Sequence, residues 1–136
     1  MEKENVVSIW LGHFNSEQEL EDYTFIDFGP DDEEIRSKFQ EDFNIEQYGY
    51  DTDFSDVFFV EDPESIEDLL MGASYSESFW DYVIELNKKL TLKYNSVIAI
   101  YDFDYSKGVK SSNRVDVDYI GSVAYKKKAW YNRDDD

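Results

Sequence analysis

A chain of 136 residues, 41% hydrophobic and 18% aromatic, has the apolar material for one folded domain, which excludes the disordered acidic tail that its charge alone would suggest. The absence of cysteine excludes disulfides, thiolate zinc sites and cysteine nucleophiles, and fits a reducing compartment, so the cytoplasm is the expected location. Thirteen basic against 32 acidic residues give a net charge of −19, which repels phosphate backbones and anionic lipid, so neither nucleic acid nor a membrane surface is an expected partner.

Val6 to Leu11 is a short apolar run with β-branched and aromatic members, stopped by Gly12, and reads as a first strand. Ser16 with Glu19 has the form of a capping box and opens a short helix to about Tyr23. The stretch YTFIDFGP, 23 to 30, alternates well enough for a second short strand. In DDEEIRSKFQEDF the acids Asp31 to Glu34 suit a first helical turn, and Ile35, Phe39 and Phe43 recur at helical spacing. QYGYDTDFSD reads as a loop, and Val57 to Val60 as a strand or a buried connection. Pro63 suits the start of a helix that turns Ile66, Leu69 and Leu70 inward through Gly72. Ser76 opens what should be the longest helix, with Phe79, Val83, Leu86 and Leu90 in one stripe and Lys88 and Lys89 in its last turn. NSVIAIYDFDYS and VDVDYIGSVAY then read as two strands around KGVKSSNR, forming a C-terminal hairpin. Residues 1–136 are thus expected to form a single α+β domain: a predominantly antiparallel sheet, about four helices and a terminal β-hairpin. The N-terminus has no signal-peptide h-region, and no run approaches the roughly 20 apolar residues of a membrane span.

The charge is uneven. Residues 1 to 85 hold 3 basic and 25 acidic side chains, a net of −22, while residues 86 to 136 hold 10 and 7, a net of +3. An acidic field of this kind attracts basic proteins, although solubility alone is the commoner reason for such charge.

Candidates for chemistry are few. The single histidine, His13, follows the strand-ending glycine and has no recognisable catalytic partner, and there is no phosphate loop or GxGxxG. Asp51, Asp53, Ser55 and Asp62 have the spacing of a calcium loop, but Asp56 stands where the sharp turn requires glycine and the bidentate glutamate is missing. The pairs Asp102/Asp104 and Asp116/Asp118 each project from one strand face and could hold Mg²⁺ if a hairpin joined them; a solvated face is the plainer reading. No enzyme, metal or cofactor is therefore expected. Eleven Tyr, ten Phe and three Trp exceed what a core of this size needs, and several tyrosines stand among acids. Such side chains anchor protein interfaces, and an acidic rim around them suits a basic partner.

IWLGHFNSEQEL resembles the strand-glycine-helix start of the immunity protein 22 family of bacterial polymorphic toxin systems. SKFQEDFNIEQYGYDTDF is similar to its second helix and aromatic-acidic exit, and YIGSVAY to its closing strand. The order matches over nearly the whole chain, with a departure at Tyr48-Gly49-Tyr50 before Asp51. The resemblance implies a non-enzymatic α+β protein that binds a cognate toxin, often a nuclease. Under that reading Trp10 and Phe14 are core elements, Gly12 permits the turn between them, and the contact residues are Asp51 and Asp53 with their neighbours Tyr50 and Phe54, on a loop. The alternative function is a general acidic interaction domain or nucleic-acid mimic acting on a DNA-handling protein.

Overall fold

The computed structural model describes residues 2–26, 37–45, 50, 54–63, 69, 85, 94–105 and 116–125. In chain order these form β1 (Glu2–Gly12), α1 (Glu17–Thr24), α2 (Lys38–Asp42), β2 (Ser55–Phe59), β3 (Ser96–Phe103) and β4 (Val117–Ala124). The strands make one antiparallel sheet in the order β2-β3-β1-β4. The expected α+β class and antiparallel sheet are present.

The order of the strands follows from how much of each is buried. Residues 7 to 12 of β1 are all buried, and β3 is buried at all but one position, so both need covering on two faces and two neighbours. The strands β2 and β4 are only partly buried and take the edges. This arrangement corrects the C-terminal hairpin: β3 and β4 each pair with β1, which lies between them, and not with each other. Turn-and-strand spacing favoured pairing of sequence neighbours, but an apolar run as continuous as VVSIWL cannot sit at an edge.

Alternation of side chains divides the core in two. On one face Val7, Ile9 and Leu11 pack with Val97, Ala99, Tyr101, Leu69, Tyr94 and Tyr125. On the other, Trp10 packs with Ile98, Ile100 and Val117 beneath Leu20 and Tyr23 of α1 and Phe39 of α2. Trp10 is fully buried, as its core role requires. Its ring meets Phe39 edge-on with centroids 5.0 Å apart, and contacts Phe43, Tyr105 and Tyr119 at 5.8, 5.3 and 5.3 Å.

Both helices start at side-chain caps. The Ser16 hydroxyl accepts the Glu19 amide at 3.1 Å, while the Glu19 carboxylate takes the amide of Asn15 at 2.9 Å rather than that of Ser16. In α2 the box is complete: Ser37 accepts from the Gln40 amide at 3.1 Å, and Gln40 returns to the Ser37 amide at 2.9 Å. Its N-cap at Ser37 places the helix start six residues beyond Asp31, so the apolar stripe was read correctly at Phe39 and Phe43 but its beginning was not. SKFQ carried the signal. The strand expected from Tyr23 is also corrected: Tyr23 and Thr24 complete α1, the C-cap Phe25 is extended, and no strand includes residues 23–26. Residues 27–36 lie outside the described residues, as do most of the two later helical segments, from which Leu69 and Glu85 are described and helical. Of about four expected helices, two are therefore established.

Gly12 is the last residue of β1, pairing with Ser96 on one side and Val117 on the other, and its φ is not positive. It is needed for its missing side chain, not for a turn. A Cβ there would lie 3.1 Å from Phe14 Cε2, 3.2 Å from the Asp116 carbonyl oxygen and 3.2 Å from Val117 Cγ2. The Asp116 carbonyl is fixed by the His13 amide at 2.8 Å, so it cannot retreat cheaply. Gly12→Ala should therefore destabilise the protein by about 1–3 kcal/mol in urea unfolding; an unchanged midpoint would contradict this packing.

Candidate functional site

Of the four contact residues expected from sequence, Tyr50 and Phe54 are described, and Asp51 and Asp53 lie outside the described residues. Tyr50 and Phe54 are half-buried and belong to opposite faces of the sheet. Tyr50 sets its ring edge-on to Phe39 and Phe103, at 6.4 and 6.0 Å. Phe54 lies against Tyr101 at 5.2 Å and Tyr125 at 6.5 Å, and those two tyrosines are 5.1 Å apart. Each tyrosine of this trio holds a carboxylate: the Tyr101 hydroxyl donates to Asp56 at 2.6 Å and that of Tyr125 to Asp102 at 2.8 Å. Phe54 is thus part of an aromatic and acidic cluster whose other rings come from β3 and the end of β4.

The backbone at this end of the sheet departs from regular pairing. Between the pairs Glu2↔Phe103 and Val7↔Tyr101, residues 3–6 of β1 lie opposite the single residue Asp102. Asn5 and Asp102 both adopt left-handed conformations, with φ of 66° and 56°, which Asn and Asp tolerate better than other side chains. The Asn5 amide donates to Asp102 Oδ1 at 2.8 Å, and the Asn5 carbonyl accepts the Tyr125 amide at 3.1 Å. The irregularity changes the phase of β3: Tyr101 faces one core, whereas Phe103 and Tyr105 join Trp10 in the other. Beside it Lys3 and Asp104 form an ion pair at 3.8 Å.

The two aspartate pairs offered to Mg²⁺ are not brought together. Asp118 pairs with Leu11, near the C-terminal end of β1, while Asp102 lies opposite residues 3–6, about 20 Å away along the strand. Asp118 instead accepts the Tyr94 hydroxyl at 2.8 Å. The calcium-loop spacing is interrupted as well, since Ser55 and Asp56 lie in β2 and pair with Ile100 and Ala99 of β3. Among the described residues, no group of three or more His, Cys, Asp or Glu side chains could hold a metal ion. Also among the described residues, no helix is long and apolar enough to cross a membrane.

A fourth pair joins the helices, where the Tyr23 hydroxyl donates to Asp42 at 2.8 Å. Sequence reasoning noted tyrosines among acids but could not assign these partners, because Tyr94–Asp118 and Tyr125–Asp102 cross a strand that is remote in the chain. A buried hydroxyl network adds to the set: Ser8 donates to the Phe103 carbonyl at 2.7 Å and shares a hydrogen bond with Ser122 at 2.6 Å, and Ser122 also bonds Tyr119. The arrangement fixes carboxylates and aromatic rings in place.

Residues 7–126 match the family described as Immunity protein 22. The chain belongs to that family. No curated protein and no solved structure matches it. Membership of the Immunity protein 22 family carries an antitoxin role, the binding of a cognate toxin, in a class of proteins that is generally not enzymatic.

In this Immunity protein 22 member burial weakens the acidity of several tyrosines. Tyr50 is pushed from the usual 10.0 to about 12 by burial. Tyr105 also rises to about 12, through burial and then the neighbouring Tyr119, and its hydroxyl donates to the Phe43 carbonyl at 2.5 Å. Tyr94 is raised further by burial and by the Asp118 carboxylate that it bonds. A phenol whose folded pKa lies above its unfolded value favours folding while neutral, so its contribution is complete below pH 10 and is lost as pH rises through about 12. Urea unfolding should show stability falling from pH 10 to 12, with phenolate absorbance appearing together with loss of structure. Tyr50→Phe should make that decline shallower; an identical decline in the variant would contradict the assignment.

Proposed function

We propose that this chain is the cytoplasmic antitoxin of a basic nuclease toxin, which it neutralises by direct binding through the acidic and aromatic surface of its first 85 residues. Membership of the Immunity protein 22 family carries the reading. The charge division supports the finer part: −22 in residues 1 to 85 against +3 in residues 86 to 136. A nuclease that binds a polyanion needs a basic cleft, and an acidic inhibitor can occupy it or cover its approach. Electrostatic steering then accelerates capture, which matters when a toxin must be silenced before it cleaves.

Asp51 and Asp53, between Tyr50 and Phe54, are the proposed contacts. Rings anchored on the folded core lose little freedom on binding, and carboxylates beside them supply the attraction. Neutralisation here requires no metal, cofactor or catalysis.

The test is co-expression of the protein with the toxin encoded beside it, and binding kinetics at two salt concentrations. The wild type should restore growth and associate faster at low salt. Asp51→Asn with Asp53→Asn should slow association several-fold and flatten its salt dependence while changing stability by no more than about 0.5 kcal/mol. Absence of both binding and protection would overturn the function; protection unaffected by the double substitution would overturn the proposed contacts alone.

A further inference from the structure

Helix α1 presents a surface that stability alone does not explain. Its inner side buries Leu20 and Tyr23, and its outer side exposes Glu17, Gln18, Glu21 and Asp22. Acids in the first turn complement the helix dipole, but Glu21 and Asp22 stand toward the C-terminal end, where the dipole is negative and a cation is favoured. No basic residue occupies the last turn. A neutral hydroxyl stands there instead: Thr24 donates to the carbonyls of Leu20 and Glu21 at 3.2 and 3.4 Å. Gln18 donates to Asp22 at 3.0 Å, which orients that carboxylate without neutralising it.

Immediately beyond the helix comes Phe25. The residue is 65% exposed, the largest exposure of any large hydrophobic residue among those described, and its backbone is extended as the C-cap of α1. The ring leaves apolar area in water, and the acids beside it oppose the helix dipole. Both costs are relieved by the same ligand chemistry.

We propose that the outer face of α1, from Glu17 to Phe25, is a docking surface for the toxin, and that it receives an arginine set beside an apolar pocket. The proposal rests on the toxin-binding reading and specifies a surface for it. A guanidinium at this position would meet the unfavourable end of the dipole, pair with Glu21 and Asp22, and stack on the face of Phe25, while the ring enters the pocket. Arginine fits better than lysine because its planar group can bond carboxylates and lie on a ring at once. A second copy of this chain is a poor occupant, since its net charge of −19 would repel its own image.

Three variants test the surface: Phe25→Ala, the pair Glu21→Gln with Asp22→Asn, and, as a control of equal charge change, Glu4→Gln with Glu61→Gln, both exposed and off the helix. The probe is the toxin domain encoded beside the gene, with rates measured by surface plasmon resonance. Phe25→Ala should speed dissociation about tenfold or more, and the helix pair several-fold, whereas the control should alter association only. Without toxin, the helix pair should melt about 2 °C higher than the wild type, because two charges opposed to the dipole are removed. Wild-type dissociation in both Phe25→Ala and the helix pair, while the wild type binds, would overturn this surface and leave the antitoxin reading intact. A lower melting temperature in the helix pair would overturn the dipole argument. No binding by the wild type would overturn both readings together.

Discussion

The hydrogen bond from a tyrosine hydroxyl to an aspartate carboxylate ties this fold together. Four such bonds are present among the described residues, and each joins separate parts of the chain. Tyr23–Asp42 links α1 to α2, and Tyr101–Asp56 links β3 to β2. Tyr94–Asp118 and Tyr125–Asp102 pass between the chain of β3 and the chain of β4, which flank β1, so the central strand is clasped at both ends. Composition explains the choice of donor. With 32 acids and 13 basic residues, at least 19 carboxylates have no cation to themselves. A phenol fixes a carboxylate, contributes a ring to the core, and leaves the negative charge in place. Among the described residues, Tyr23, Tyr94, Tyr101 and Tyr125 are linked to acids in this way.

Around these clasps the apolar pattern does the rest. Strand β1 sends Val7, Ile9 and Leu11 to one core and Trp10 to the other, and the aromatic contacts of Trp10 bring α2 and the exit of β3 onto the sheet. The indole nitrogen of Trp10 is buried without a hydrogen-bond partner among the described residues, a cost outweighed by the ring area it removes from water. Asn95 secures the exit of β1, donating its amide to the Gly12 carbonyl and using its side chain to hold both backbone groups of Phe14, at 3.0 and 2.8 Å. The two non-glycine residues in left-handed conformation at the opposite end, Asn5 and Asp102, are held by each other and by Tyr125. That end is also where Phe54 sits, so local strain and candidate contact residues coincide.

Much of this was legible from residue patterns. The first strand, its buried tryptophan, the first helix and the antiparallel α+β class followed from periodicity and capping, because those signals are local. The strand order did not follow. Proximity in sequence favoured a terminal hairpin, whereas burial of β1 and β3 on both faces decided the pairing, and burial is a property of the assembled sheet. Alternation in YTFIDFGP was outweighed at Tyr23 by its place on the inner side of α1, against Phe14 and Phe39. At the candidate site, Phe54 packs against Tyr101 and Tyr125, which are remote in sequence and which its neighbours could not indicate, and Asp102 and Asp118, for which a solvated face was the plainer reading, accept the hydroxyls of tyrosines equally remote in the chain. The exposed Phe25 was missed because it was counted in a strand.

These features hold the described residues together and leave the chain's charge for something else to answer. Membership of the Immunity protein 22 family makes a toxin the natural candidate. Everything in that view depends on the tyrosine–carboxylate bonds being energetically real rather than incidental neighbours. The direct measurement is a double-mutant cycle on Tyr94 and Asp118, with Tyr94→Phe, Asp118→Ala and the combined variant unfolded in urea at neutral pH. A bond to a charged acceptor across the central strand predicts a coupling of about 1.5–3 kcal/mol between the two positions. Strictly additive losses would show that the hydroxyl and the carboxylate contribute independently, and that tyrosine is not what holds the acidic fold together.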